Sequence, residues 1–139
     1  ETKIMRLVEY GLARRMIFVS ALPQQGAAVG FPSEIPGVMV VAAVGQEHGA
    51  HDVLLAPGTD VLTLAPNDGY DFVSGSSMAA ANVSGSVALL LSHRLKASEV
   101  RSTLVQTMPR GSSINVCLAL AGRQAQQCEP VHLPQVDSM

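Results

Sequence analysis

The sequence contains no tryptophan, and aromatic residues of all kinds make up 4% of its 139 residues. Charged residues make up a further 14%, and the net charge is −2. Proteins that bind nucleic acid through its phosphates usually carry a basic field, and this sequence has no stripe of Lys or Arg with interleaved aromatic residues. We therefore expect no nucleic-acid partner.

Long apolar runs are also missing. The longest, from Val83 to Leu91, is interrupted by serines and a glycine and is too short to cross a bilayer, so no transmembrane segment is predicted. The sequence has no Asp-x-Asp-x-Asp loop of the calcium-binding kind. Its two cysteines have no histidine partners with which to hold zinc. We therefore predict no metal site and no cofactor.

What the sequence does have is material for a core of small aliphatic side chains, since 47% of its residues are hydrophobic. Apolar segments with helical and extended patterns alternate along the chain, which predicts an α/β fold with a mostly parallel sheet flanked by helices. Helices are predicted over 2–15, 77–92 and 98–108, the last with Ser98 as its N-terminal cap. Strands are predicted over 16–21, 38–44, 53–55 and 61–64, and a short apolar element over 114–120.

The most informative segment is alanine-rich and has a serine near its start. It runs from Gly75 to Gly85 and reads GSSMAAANVSG, with Ser77 at the beginning of a predicted helix. Glycine lets the chain turn sharply before the helix, and the first N–H groups of a helix can stabilise an anion that develops beside the serine. The pattern indicates a serine nucleophile. Ala79 stands where the nucleophile elbow of α/β-hydrolases has its final glycine, which argues against that class.

This segment resembles the serine signature of the subtilisin-like serine proteases (subtilases, peptidase family S8), Gly-Thr-Ser-Met-Ala-x-Pro-His-Val-x-Gly. The resemblance assigns Ser77 as the nucleophile. Ser76 stands in place of the usual threonine, Ala81 in place of proline and Asn82 in place of histidine. The signature's histidine is not the histidine of the catalytic triad, so none of these differences removes a catalytic group.

The resemblance extends beyond the serine. Residues 56–58 (Ala-Pro-Gly), the strand at 61–64 and the segment 69–75 are similar to the turn, strand and loop that lead to the serine in subtilases. Residues 31–45 are similar to the family's Tyr-Pro-Ala…Pro-x-Val-Ile-x-Val-x-Ala segment. Together these ordered blocks cover roughly two thirds of the chain, which makes coincidence implausible.

A catalytic serine needs a histidine to take its proton and a carboxylate to orient that histidine. In subtilases both precede the serine, and neither of the two family motifs is visible in this sequence. The chain begins at Glu1 and enters a helical pattern directly. We therefore expect it to be the C-terminal part of a subtilase catalytic domain, with Asp and His supplied by an upstream segment of the same protein.

The resemblance also implies an oxyanion-hole asparagine just after the strand at 16–21. Pro23 occupies that position, and proline has neither a side-chain donor nor a backbone N–H. Loss of one oxyanion donor typically costs about 3–4 kcal/mol of transition-state stabilisation. Gln24 or Gln25 could supply an amide instead, or both could be ordinary polar loop residues. These three residues and Ser76 are the candidates for lining the site.

The histidines offer no replacement for the missing base. His48 and His51 precede Ser77 but lie far from where the family places its catalytic histidine, and we expect both to be loop residues. A metal-binding pair at this i, i+3 spacing would lack further ligands nearby. His93 follows the apolar helix and is expected near its C-terminal end, where a cation is favoured.

Cys117 and Cys128 enclose a short polar loop. One disulfide and two free thiols are both compatible with this spacing. We expect a subtilase domain over residues 1–122 and a poorly ordered tail over 123–139, which is rich in Pro and Gln. Because the family is largely exported, a periplasmic, cell-surface or secreted location is expected.

The resemblance implies a serine endopeptidase that hydrolyses polypeptide substrates through an acyl-enzyme on Ser77. The alternative is a catalytically impaired pseudoprotease that serves as a binding or scaffolding module, which Pro23 favours. A third possibility is that the chain by itself is inactive and not independently stable, because buried strands would lack their partners.

Overall fold

A computed structural model of the protein describes residues 2–23, 30–49, 52–108 and 112–122, together with Cys128. Helices and strands alternate along these ranges, as the α/β pattern predicts. In chain order they are α1 (Thr2–Ala13), β1 (Val19–Ala21), β2 (Met39–Ala43), β3 (Leu54–Ala56), β4 (Val61–Ala65), β5 (Gly69–Val73), α2 (Ser76–Ser92), α3 (Ala97–Gln106) and α4 (Val116–Ala121).

The first three strands form a parallel sheet in the order β1-β2-β3, with Ala21 opposite Val41 and Val41 opposite Leu54. The central strand β2 is buried along its whole length. A strand buried on both faces is typically a continuous apolar run, which is how residues 38–44 read in the sequence. The predicted α/β class with a parallel sheet flanked by helices is confirmed.

Successive residues of β2 point to opposite faces of the sheet, and each face has its own core. On one face the sheet packs against α2 and α3, whereas the other face carries a smaller cluster. The larger core contains Met39, Val41, Ala43, Leu54, Ala56, Ala79, Val83, Val87, Leu90, Val100 and Leu104. The smaller one contains Leu22, Val40, Ala42, Val53 and Leu55.

Helix α2 lies against this sheet and directs its buried stripe toward it. The stripe consists of Ala79, Val83, Val87 and Leu90, spaced at the helical period. The serines elsewhere on α2 bond to their own helix: Ser84 Oγ donates to Ala80 O (2.8 Å) and Ser86 Oγ to Asn82 O (2.9 Å). None of the helices in the described ranges combines the length and the hydropathy of a membrane span.

The predicted start of β1 at residue 16, directly after the helix, is wrong, because α1 ends at Ala13 and residues 14–18 separate it from the strand. Arg15 takes a left-handed backbone conformation (φ 65°), and Met16 N–H donates to Gly11 O at 3.0 Å. These are the features of a Schellman helix end, which satisfies the last carbonyls of α1 before the chain extends. The strand begins at Val19.

The segment 69–75 was expected to be a loop, and most of it is instead the strand β5. It pairs antiparallel with β4, with Leu62 opposite Phe72 and Leu64 opposite Tyr70. The turn between the strands contains two residues with positive φ, Asn67 and Asp68. Asn and Asp tolerate this conformation better than most residues, which lets the chain reverse within three residues.

The C-terminal helices begin differently from the sequence prediction. Helix α3 starts at Ala97, so Ser98 is its second residue and not its cap; Lys96 N–H donates to Glu99 Oε2 at 3.4 Å instead. The short apolar element after it is the helix α4, capped by Asn115, whose side chain accepts from Leu118 N–H. Cys117 of α4 is disulfide-bonded to Cys128, which resolves the two alternatives left by the spacing. Apart from Cys128, the predicted tail lies outside the described residues.

Candidate active site

The start of α2 presents Ser77 to solvent. Gly75 precedes the helix with φ 149° and ψ 164°, a conformation that is essentially restricted to glycine. Its N–H donates to Gly58 O at 2.7 Å, so the turn before the helix is tied to the turn after β3. Ser77 follows as the second helical residue and is exposed.

The two turns fit closely against each other. A Cβ added at Gly58 would lie 2.8 Å from Gly75 O and 2.7 Å from Ala43 Cβ, closer than real Cβ contacts come. Asn82 reinforces the same contact, because its Nδ2 donates to Pro57 O at 2.7 Å. Asn82, which stands where subtilases have histidine, therefore has a structural role in holding the Ala-Pro-Gly turn.

The first turn of α2 leaves backbone donors free. Met78 N–H and Ala79 N–H both donate to Gly75 O, at 3.0 and 3.3 Å. The N–H groups of Ser76 and Ser77 donate to no backbone carbonyl among the described residues, as expected for the first positions of a helix. The positive end of the helix dipole lies at the same point, so an oxyanion beside Ser77 would be stabilised.

A cleft of about 800 Å³ opens in front of this helix start. It is bordered by the carboxyl ends of β1 and β2 and by the two turns just described, the position at which α/β sheets commonly bind ligands. The residues lining it are Ala21, Leu22, Pro23, Ala43, Val44, Gly45, Gln46, Gly58, Thr59, Ser74, Gly75, Ser76 and Ser77.

Ser76 and Pro23, two of the four site-lining candidates, lie in this cleft. Ser76 Oγ donates to Leu22 O at 2.6 Å, which joins the start of α2 to the end of β1. Pro23 O accepts from Gln46 Nε2 at 3.2 Å. Gln24 and Gln25 lie outside the described residues.

None of the cleft residues of the described chain is a histidine or a carboxylate, so nothing there can take the proton of Ser77. His48 lies in the loop after β2, where its Nδ1 has no hydrogen-bond partner, and His51 lies outside the described residues. His93 caps the far end of α2, about 24 Å along the helix from Ser77. The described residues contain no group of three or more potential metal ligands.

Gln46 also lines this cleft, although no motif in the sequence points to it. Its side chain bonds to both edges of the cleft, to Pro23 O through Nε2 and to Ala43 N–H through Oε1 at 3.1 Å. The signal that could have identified it is its place three residues beyond a fully buried parallel strand, where polar side chains face the ligand-binding edge of the sheet.

Comparison with known proteins identifies relatives of this chain. The model of the Subtilase family, peptidase S8, matches residues 3–126. The chain is 31% identical over 121 residues to subtilisin DY of Bacillus licheniformis, an alignment that includes 76% of this chain and 44% of subtilisin DY. The chain thus spans less than half the length of that relative.

Solved structures agree with the sequence matches. The self-cleaved protease domain of PatA is similar with a TM-score of 0.74 and 26% identity, over 84% of this chain and 53% of that one. The prenylagaramide maturation protease PagA has a TM-score of 0.75 at 22% identity, over 86% of this chain and 55% of that one, and shows the shared fold.

Proposed function

The chain belongs to the subtilase family, and on this basis we propose that it carries the nucleophile of a subtilisin-type serine endopeptidase, Ser77. The observation that carries the proposal is the exposed serine at the start of α2, with unpaired helix N–H groups beside it and a cleft of about 800 Å³ in front of it. The family as a whole consists of serine peptidases, so a polypeptide is the expected substrate.

In the proposed reaction, Ser77 Oγ attacks the carbonyl carbon of the scissile peptide bond. Its proton passes to a histidine base, which then donates it to the departing amine as the C–N bond breaks. The acyl-enzyme that remains on Ser77 is hydrolysed by water activated by the same base. The backbone N–H of Ser77 stabilises the oxyanion in both steps.

The histidine and its orienting aspartate are proposed to come from a segment upstream of residue 1. This is consistent with the 44% of subtilisin DY that the chain spans, and with a cleft that contains no histidine or carboxylate among the described residues. The enzyme would then be assembled from both parts of one polypeptide, with Ser77 activated when the upstream part is in place.

Export is part of the proposal and is supported by the Cys117–Cys128 disulfide. Disulfides persist in oxidising compartments and are rare in the cytosol of mesophiles. A periplasmic, cell-surface or secreted location accounts for such a bond in a chain with two cysteines.

Labelling by a fluorophosphonate tests the proposal, because this reagent reacts with serines that a base has activated. The protein is labelled as its full natural polypeptide, and the modified residue is mapped by mass spectrometry. We expect modification at Ser77 and its loss in Ser77→Ala. The matched control is Ser84→Ala, an exposed serine on the same helix whose hydroxyl bonds to its own helix, and it should label like the parent.

A well-folded protein that never labels would contradict the enzyme proposal and favour the pseudoprotease alternative.

Pro23→Asn supplies a second test, since Pro23 has no donor to offer at the family's asparagine position. We expect turnover to rise by about 100- to 1000-fold, the effect of one oxyanion-hole donor. An unchanged rate in an active enzyme would instead assign the donor to Gln24 or Gln25.

A further inference from the structure

The pairing between β1 and β2 ends in an exchange of hydrogen-bond partners. The last bond of the parallel ladder runs from Leu22 N–H to Val41 O at 2.7 Å. In a parallel sheet the next bond in this register would join Ala43 N–H to Leu22 O. That bond is replaced, because each of the two groups pairs with a side chain instead.

The substitute partners come from opposite sides of the cleft. Leu22 O accepts from Ser76 Oγ at 2.6 Å, and Ala43 N–H donates to Gln46 Oε1 at 3.1 Å. The other end of the same amide, Gln46 Nε2, donates to Pro23 O at 3.2 Å. The amide of Gln46 therefore lies between the two strands at the point where the ladder stops.

The main chain of Gln46 holds the side chain in this place. Gln46 N–H donates to Ala43 O at 2.9 Å, so Ala43 is bonded through its carbonyl to the backbone of Gln46 and through its N–H to the side chain. The site needs a neutral amide, since one neighbour is an N–H donor and the other a carbonyl acceptor. An ionised carboxylate could accept from Ala43 but could not donate to Pro23.

We propose that Gln46 is a positioning residue that keeps the ends of β1 and β2 apart and so shapes the cleft in front of Ser77. Without the amide, Ala43 N–H is free to bond Leu22 O in the ordinary register of the sheet. Ser76 Oγ then competes with it for the same carbonyl, and the start of α2 loses its fixed distance from β1. This inference rests on the proposed function, because it concerns the reactivity of Ser77.

The test compares three variants in the full natural polypeptide: Gln46→Ala, Gln46→Glu and the control Gln106→Ala, which changes an exposed glutamine at the end of α3. The readouts are the rate of fluorophosphonate labelling at Ser77 and the separate values of kcat and KM on a peptide substrate. Both Gln46 variants should lower the labelling rate and kcat on the order of tenfold to a hundredfold, with KM changed much less. The control should match the parent.

A merely structural role of Gln46 would lower stability while the folded fraction kept the parent's kcat. If both Gln46 variants label within about twofold of the parent, a difference of roughly 0.4 kcal/mol in barrier, the inference is overturned and the proposed function stands. If the parent and the control never label, the proposed function fails, and a structural readout decides the inference.

That readout is a crystal structure of Gln46→Ala, with Gln46→Leu, which also has no acceptor for Ala43 N–H, as the substitute if the first variant does not fold. We expect Ala43 N–H within hydrogen-bond distance of Leu22 O, with the two strands drawn together. Strand ends as far apart as in the parent would overturn the inference whether or not the protein is active.

Discussion

The parallel sheet and the β4–β5 hairpin both contain large apolar side chains, yet they differ sharply in burial. Every residue of β2 and β3 is buried. On one face of the hairpin, by contrast, four large apolar side chains remain mostly exposed, by 58–77%: Leu62, Leu64, Tyr70 and Phe72. The sheet has a core on each face, whereas this face of the hairpin has no cover among the described residues. Burial is thus set by the layers around a strand and not by its composition alone.

The hairpin nevertheless has a clear structural role, because its base fixes the approach to the serine. Asp60 N–H donates to Ser74 Oγ at 2.9 Å, and Ser74 Oγ donates to Asp60 Oδ1 at 3.4 Å. These bonds close the hairpin where the chain leaves β5 and enters the turn at Gly75. The sheet supplies stability, and the hairpin supplies a defined path into helix α2.

The largest expected difference between the two regions is the cost of truncating a leucine. Leu54 of β3 is fully buried and Leu64 of β4 is 77% exposed. Leu54→Ala should lower the free energy of unfolding by about 2–5 kcal/mol, because it removes apolar contacts and leaves a cavity. Leu64→Ala should change it by less than about 0.5 kcal/mol.

Urea unfolding of the two variants, followed by circular dichroism, measures this difference. Equal losses in both would mean that the outer face of the hairpin is covered in solution, and the contrast between the two regions would then disappear.

The next largest loss of stability is expected at the contact between the turn after β3 and the turn at Gly75 that precedes α2. Gly58→Ala introduces a Cβ that meets Ala43 Cβ and Gly75 O at less than 3 Å. We expect a loss of about 1–3 kcal/mol in the free energy of unfolding, as for other overpacked sites. Labelling at Ser77 should slow as well, because the turn before α2 must move.

Gly85→Ala is the matched control, since a Cβ there has nothing within 4 Å and the position lies inside α2. It should stabilise the protein by up to about 1 kcal/mol through helix propensity. A Gly58→Ala variant with the parent's stability would contradict the close approach of the two turns.

The smallest expected effect lies within the hairpin itself. Leu62 and Phe72 are directly opposite in the antiparallel register, so their side chains support each other without a core beneath them. A double-mutant cycle with Leu62→Ala and Phe72→Ala should give a coupling energy of about 0.2–1 kcal/mol. Denaturant unfolding of the two single variants and the double variant measures it, and strict additivity would show that this register does not persist in solution.

The sequence was most informative where local pattern and tertiary role coincide. The run over 38–44 predicted β2, and the glycine before Ser77 predicted the sharp turn into α2. Helix α2 begins within one residue of its predicted start. Each of these features depends on residues that are adjacent in sequence, so their spacing carried the information.

Features that depend on distant partners could not be predicted in this way. Strand β5 contains Gly69 and Asp71, which read as loop residues, and it exists because β4 pairs with it. The role of Gln46 depends on the ends of β1 and β2 meeting at one edge, 23 residues apart in sequence at the Pro23–Gln46 bond. The sequence offers two starting points for α3, Lys96 and Ser98. The structure uses Lys96, whose N–H donates to Glu99 Oε2, and the spacing of the residues alone does not decide between them.

The hydroxyl bonds within α2 change what its serines Ser84 and Ser86 offer to a neighbour. The hydroxyls of Ser84 and Ser86 already donate hydrogen bonds to carbonyls of their own helix. A buried hydroxyl without a partner costs about 1–3 kcal/mol, and that penalty does not apply to these two donors. Ser84 and Ser86 lie on opposite flanks of the buried stripe, and a hydrocarbon surface resting on either hydroxyl would leave no donor unpaired. Two residues that read as polar in the sequence therefore present no unpaired hydroxyl donor to a packing partner.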